Sequence, residues 1–198
     1  VDRVVTIDLH CGQIQGFFHN IPVDNLYACP LFTSYLVNRA LHRVVVVSPD
    51  AGGVERAKKF SEDLSKHGIY AEMALISKQR IKEGEVHSMA LIGDVQGADT
   101  VLIDDLCDTG GTLAKAAALL KESGANRVFA VVTHPVFSKT ALKVIENSVI
   151  DELLVADTIP LRGKIPPNIH IISVGSLLGE AIRRIQLGES ISTLFDDV

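Results

Sequence analysis

Between Val101 and Thr112 an apolar run meets paired carboxylates, a polar turn and two glycines in immediate succession: Val101-Leu102-Ile103-Asp104-Asp105-Leu106-Cys107-Asp108-Thr109-Gly110-Gly111-Thr112. The apolar run predicts a strand, the turn a loop, and Thr112 onward a helix to about Ser123 that Gly124 stops. Such a strand projects Asp104 and Asp105 at its carboxyl end. The glycines let the backbone N–H groups of Asp108 to Thr112 converge on an anion at the positive end of the helix. Carboxylates suit sugar hydroxyls and an amide cradle suits a phosphate, so the stretch points to a phosphorylated sugar. The plainer alternative is an ordinary strand-to-helix turn whose Asp and Thr side chains only cap the helix.

The rest of the chain repeats the strand-then-helix alternation. Arg3 to Leu9 is β-branched and reads as a strand ending in Asp8-Leu9-His10, with Asp8 and His10 on one side by the period of two. Residues 21–27 are too short and proline-marked for a helix and read as loop and packing surface. Pro30 opens a helix to about Ala40. Arg43 to Ser48 carries four consecutive valines, the mark of a strand buried on both faces in a parallel sheet. Pro49-Asp50-Ala51-Gly52-Gly53 turns into a helix from Val54 to about Lys66, with Val54, Ala57, Phe60 and Leu64 as its apolar stripe. Tyr70 to Ile76 and Val86 to Ile92 read as strands flanking a polar, mobile loop. Strands at Arg127 to Thr133, Ile150 to Ala156 and Ile169 to Val174 follow. Ser138 caps a short helix to about Asn147, and the last helix places Leu177, Leu178, Ala181, Ile182 and Ile185 on one face and ends near Gly188. The fold class is α/β, a mostly parallel sheet flanked by helices.

In such sheets ligands lie outside the carboxyl ends of the strands. His10, the Asp50 to Gly53 loop, Lys78 to Arg80 and Asp104 to Thr112 all follow strands, and two of these loops carry glycines directly before a helix. Their polarity alone would not distinguish them from ordinary loops. Taken without further context, His10 also suits a hydrogen-bonded strand-end histidine, and Lys78 and Arg80 suit solvated loop charges.

At 198 residues, 47% of them hydrophobic, the chain is long enough to bury a sizeable core. A net charge of -5 and the lack of a basic tract argue against nucleic acid or a membrane surface as partner. Three cysteines without metal-ligand spacing suggest a reducing compartment, and the cytoplasm is expected. No apolar run approaches a membrane span. A chain that begins at Val1 instead of Met is expected to have lost a preceding segment.

The 101–112 stretch resembles the signature of the type I phosphoribosyltransferase fold. Asp8-Leu9-His10 with Gln13-Ile14-Gln15-Gly16-Phe17-Phe18, Ser48 to Gly53, Thr158-Ile159-Pro160 and Glu180-Ala181-Ile182-Arg183-Arg184 narrow the resemblance to the ribose-phosphate diphosphokinase, or PRPP synthetase, family. That resemblance implies transfer of the β,γ-diphosphoryl group of ATP to the C1 hydroxyl of ribose 5-phosphate, giving PRPP and AMP with Mg²⁺. It implies that His10 and Asp50 hold or orient magnesium and that Asp50, Ala51, Gly52 and Gly53 receive the diphosphate. Asp104 and Asp105 would address the ribose, and Asp108, Thr109, Gly110, Gly111 and Thr112 would wrap the 5-phosphate. Lys78 and Arg80 match the pair that closes over the transferring phosphates. Ser190 and Ser192 resemble a regulatory phosphate or ADP site at a subunit interface, although surface serines in a polar turn are the equal alternative. Asp24 to Tyr27 resembles an interface segment, and a homo-oligomer of dimers assembling to a hexamer is implied.

The resemblance divides the chain into the end of the family's first domain at 1–28, a phosphoribosyltransferase-like domain at 29–188 and a tail at 189–198. The family's N-terminal domain, with its ATP-binding motif, has no counterpart, so the chain alone is expected to be inactive or nearly so. Cys11, Gly12, His19-Asn20, Cys107, Pro135 and Lys139 depart from the family pattern, Pro135 and Lys139 standing where it has glycines. Two other readings are a noncatalytic associated subunit of the same family and a phosphoribosyltransferase that consumes PRPP. Intact Lys78, Arg80 and Asp50 to Gly53 weigh against the first, and the Asp8-Leu9-His10 segment against the second.

Overall fold

The chain enters through β1 (Val4–Ile7) and runs parallel to it again in β2 (Val23–Leu26), a 3-10 turn over Gly12–Phe17 making the crossover. The structure, a computed structural model, describes residues 1–79 and 88–195. The strand β2 corrects the reading of 21–27 as loop. Pro22 lies just outside the strand, where its missing N–H costs nothing, and its carbonyl accepts the Val4 N–H at 2.9 Å.

After α1 (Cys29–Val37) come β3 (Val44–Ser48), α2 (Val54–Lys66), β4 (Ala71–Gln79), β5 (Ser88–Ile92), β6 (Asp99–Cys107), α3 (Gly111–Glu122), β7 (Arg127–Pro135), α4 (Ala141–Glu146), β8 (Glu152–Ala156), β9 (Ile169–Ile172) and α5 (Gly175–Leu187). Strands β3 to β9 build one seven-stranded sheet in the order β5-β4-β3-β6-β7-β8-β9. Every pairing is parallel except the outer β4–β5 pair. From β3 the chain steps outward through β4 and β5, then returns to lay β6 on the other side of β3. The direction of winding therefore reverses between β3 and β6, the place where the connecting loops of such sheets part to leave a crevice at the carboxyl ends.

The valine run shows why this sheet is covered twice. Val44 and Val46 pack on one face with Val101, Ile103, Phe60 and Leu64, while Val45 and Val47 pack on the other with Leu102, Leu113 and Leu120. Alternate residues of a strand serve opposite faces, so a strand under helices on both sides must be apolar throughout. Each such fully buried side chain contributes about 1.5–3 kcal/mol.

Two predicted stripe residues lie outside the core: Val54 is 38% exposed at the first turn of α2, and Ile182 is 64% exposed on α5. Each belongs to the margin of its helix's apolar face. Helix α4 starts later than expected, at Ala141, and the Ser138 carbonyl accepts the Ala141 N–H. In that same turn Lys139 has φ 54 and Phe137 φ 44. The left-handed backbone at Lys139 is one that glycine adopts without strain.

Candidate functional site

Strand β6 brings Asp104 and Asp105 to the crevice, and because successive residues point to opposite faces the two carboxylates acquire different surroundings. Asp105 is 2% exposed. Its Oδ1 lies 3.1 Å from Arg56 of α2, and its Oδ2 lies 2.8 Å from Nδ1 of His10. Asp104 is half-buried, takes the Asp105 N–H on Oδ1 at 2.9 Å and stands 3.8 Å from Arg56. Burial and the neighbouring Asp105 push Asp104 up. Burial also works against the charge on Asp105, but Arg56, His10 and Asp104 outweigh it and hold Asp105 below the usual carboxylate range.

The Asp50 loop follows β3. Asp50 Oδ1 accepts the N–H groups of Gly52 at 3.0 Å and Gly53 at 3.2 Å, capping the 3-10 turn Ala51–Gly53 that leads into α2. Gly53 is buried, and a Cβ there would stand 2.8 Å from Ser48 Oγ. Three residues further on is Arg56, so one loop and one helical turn connect this loop to the carboxylates of β6.

His10 is carried by a turn that the period-two expectation misplaces. Strand β1 ends at Ile7, and Asp8 takes φ 45, which turns its carboxylate inward. Asp8 Oδ2 accepts the Ala28 N–H at 3.1 Å and the Thr133 hydroxyl at 2.7 Å, while the Leu9 N–H donates to Asn25 Oδ1 at 3.0 Å. His134 at the end of β7 sits 3.0 Å from the Ile7 carbonyl. The His10 side chain, thus supported, is 80% exposed apart from its bond to Asp105. An ionised carboxylate only accepts, so Nδ1 of His10 carries the hydrogen and donates it.

The Asp108 to Thr112 loop joins β6 to α3. The Cys107 and Asp108 carbonyls accept the N–H groups of Phe137 and Ser138, which pins the loop to the segment after β7. Gly110 sits at the N-cap with φ 78, and a Cβ there would meet Ile145 Cδ1 at 3.3 Å. A glycine N-cap has no side chain to offer, so α3 begins without a side-chain cap and the capping alternative for this turn is not realised at Gly110. Asp108, Thr109 and Thr112 are exposed, while Cys107 is buried, its thiol pushed up to about 11 by burial and then by Asp104. That environment makes Cys107 a small apolar filler.

Lys78 lies in β4, its backbone in register with Met89 of β5. Arg80 and the rest of the connection to β5, with the first two residues of the strand expected from Val86, fall outside the described residues. Ser190 and Ser192 share a turn beyond α5, their hydroxyls 2.7 Å apart, and Arg184 holds that turn through the Ser190 carbonyl at 3.0 Å and the Thr193 hydroxyl at 2.6 Å. A cavity of about 910 Å³ lies between the His10 turn and α2; Gly52 and Arg56 line it, but no residue from Asp104 to Thr112 does. The strand-end carboxylates and the Asp108 to Thr112 loop therefore lie outside that cavity.

The structure thus brings His10 and Asp105 into direct contact and sets the Asp50 loop one helical turn from them. It adds Arg56, Asp8 and Thr133, to which the sequence reading gave no role at this site. Arg56 carried one available signal: a cation in the first turn of the helix that follows a glycine loop.

A family profile described as the phosphoribosyl synthetase-associated domain matches residues 69–196. A ribose-phosphate pyrophosphokinase of Marinomonas sp. (strain MWYL1) is 50% identical over 98% of this chain and 61% of its own length. One from Buchnera aphidicola subsp. Acyrthosiphon pisum is likewise 50% identical, over 99% of the chain and 61% of its own length. The crystal structure of a phosphoribosylpyrophosphate synthetase from Mycobacterium smegmatis superposes with a TM-score of 0.83 at 37% identity, over 94% of this chain and 59% of that one. The chain spans about three-fifths of the length of the relatives it matches.

Proposed function

The chain belongs to the ribose-phosphate diphosphokinase (PRPP synthetase) family, with a type I phosphoribosyltransferase fold, and from that membership we propose that the crevice binds ribose 5-phosphate. The reaction it serves is transfer of the diphosphoryl group of ATP to the C1 hydroxyl, yielding PRPP and AMP. The observation that carries the reading is the position of two glycine loops and a carboxylate pair at the point where the winding of the sheet reverses. Each feature matches a part of a phosphorylated sugar or of a diphosphate, and the reversal is where such sheets hold ligands.

In this reading the first turn of α3, with Asp108, Thr109, Gly110, Gly111 and Thr112, receives the 5-phosphate, and Asp104 and Asp105 face the ribose. Asp50, Ala51, Gly52 and Gly53 receive the diphosphate. Phosphoryl transfer depends on in-line positioning and on neutralising developing charge, work suited to the cations Lys78 and Arg80. Arg80 supplies a bidentate fork and Lys78 a point charge.

Among the described residues no three His, Cys, Asp or Glu side chains gather as a metal cage. Mg²⁺ does not require one: it takes one or two carboxylates together with water and substrate phosphates. Carboxylate oxygens at Asp50 and Asp104 fit that chemistry, and the imidazole of His10, donating from Nδ1 to Asp105, keeps Nε2 as an acceptor that can hold the ion or orient a water on it. When bound, Mg²⁺ would neutralise charge on the transferring phosphates.

We further assign residues 1–28 to the end of the family's first domain, 29–188 to the phosphoribosyltransferase-like domain and 189–198 to a tail. The pairing of β1 with β2 alone supports the first boundary. A homo-oligomer, a regulatory role for Ser190 and Ser192, and a cytoplasmic setting complete the proposal. Among the described residues no helix is long and apolar enough to cross a membrane.

Calorimetric titration of the chain with ribose 5-phosphate tests the reading. Saturable binding that Asp104→Asn weakens supports it, and no binding overturns it. Turnover is read as AMP released from ATP with Mg²⁺ and ribose 5-phosphate, in a protein of the relatives' full length carrying these residues; there Lys78→Ala and Arg80→Ala are expected to abolish it.

A further inference from the structure

Asp104 and Asp105 are adjacent in sequence and carry the same chemistry, yet their oxygens have different commitments. Both oxygens of Asp105 are engaged, one with Arg56 at 3.1 Å and the other with His10 at 2.8 Å, on a side chain that is 2% exposed. Asp104 has a short bond to the Asp105 N–H, a longer 3.8 Å approach to Arg56, and more than a quarter of its side chain open to solvent. A sugar hydroxyl that met Asp105 would have to displace an ion-pair or hydrogen-bond partner of a buried carboxylate, which is costly. One that met Asp104 would find accepting capacity exposed.

Arg56 produces this asymmetry. Its side chain is 24% exposed and reaches the pair from α2, with one guanidinium nitrogen directed to each aspartate. A planar fork spans two carboxylates in a way that a point charge does not. By taking Oδ1 of Asp105, Arg56 leaves Oδ2 as the acceptor for His10 and sets the position of the link between the imidazole and β6. The chain of contacts runs from the Asp50 loop, through the first turn of α2, to the carboxylates and out to His10.

We infer that Arg56 gives the paired carboxylates separate tasks, fixing Asp105 as the brace that orients His10 and leaving Asp104 as the carboxylate that meets the ribose hydroxyls. Arg56 and Asp105 are then positioning residues. The assignment of Asp104 rests on the ribose 5-phosphate reading, whereas the hold of Arg56 on His10 does not.

The test uses the whole chain with isotope-labelled histidine side chains, followed by NMR at one pH, together with calorimetric titration by ribose 5-phosphate. In Arg56→Gln the His10 Nδ1 signal moves to the position it takes in Asp105→Asn. Asp104→Asn leaves that signal in place but weakens ribose 5-phosphate by about tenfold or more, the size expected for losing hydrogen bonds to a charged group. Arg56→Lys, which keeps the cation and loses the fork, restores the His10 signal only in part, and it carries the comparison if Arg56→Gln does not fold. A His10 signal unmoved by Arg56→Gln and Arg56→Lys overturns the inference. So does a ribose 5-phosphate affinity that Asp105→Asn lowers without any movement of His10. If the unsubstituted chain binds no ribose 5-phosphate while His10 still follows Arg56, the functional reading falls and the bracing role stands.

Discussion

The Thr133 hydroxyl donates a 2.7 Å hydrogen bond to the buried carboxylate of Asp8, joining the end of β7 to the turn that carries His10 across 125 positions of sequence. Among the described residues, removing that donor leaves the same carboxylate oxygen with the Ala28 N–H alone. Thr133→Val is therefore expected to destabilise the chain by about 1–3 kcal/mol. Urea unfolding checks the magnitude, and a native-like midpoint would refute the bracing of the turn.

Asp8 has a pH dependence of unusual sign. Burial pushes its carboxyl above the ordinary value, although Thr133 and Ala28 act against the shift. A carboxyl raised by folding burdens the folded state above its folded pKa and is relieved as pH falls from there toward the unfolded value. The stability of Asp8→Asn relative to the unsubstituted chain should therefore decline as pH is lowered through the acid range, in chemical unfolding series at several pH values.

Asp99 behaves in the opposite sense. Burial works against its charge, but Arg127, the His42 N–H and Asn126 outweigh that and hold it below the ordinary value. Its contribution is present above the unfolded pKa and is lost as pH falls through the lower, folded one. Asp99→Asn should cost about 2–3 kcal/mol at neutral pH, and less as the medium becomes strongly acidic. A cost that stays constant with pH would contradict the ion pair as its source.

A methyl group at position 53 meets a side chain already in use, because Ser48 Oγ donates to the Asp50 carbonyl at 2.6 Å. Gly53→Ala is expected to destabilise by about 1–3 kcal/mol and to distort the Asp50 loop. Thermal unfolding reads the first effect, and loss of protection of the Gly52 and Gly53 amides in hydrogen exchange reads the second.

Lys139→Gly should stabilise the protein by about 0.5–1 kcal/mol, since a residue with φ 54 is relieved of left-handed strain. Differential scanning calorimetry would show this as a higher midpoint. An unchanged or lower midpoint would mean that the lysine side chain contributes more than the strain removes.

Sequence made the sheet legible wherever burial was complete. The valines of β3 needed both faces covered, and the glycines before α2 and α3 marked where strands give way to helices. It failed where the decisive partner was remote. Strand β2 is short, half-polar and preceded by proline, and only its pairing with β1 makes it a strand. The brace under His10 depends on a single left-handed residue, Asp8, which no periodicity forecasts. Arg56 looks like any charge on an amphipathic helix until α2 is laid over the point where β3 and β6 part.

The outer strand pair separates placement from length. Strand β4 pairs with β3 only as far as Leu75, while its partnership with β5 covers Leu75 to Gln79, so the backbone at Lys78 is registered by Met89 and not by the body of the sheet. Register in an antiparallel pair decides which face each residue addresses. Loosening the outer pair would therefore free the backbone at position 78 without disturbing the β3–β4 ladder, which ends at Leu75.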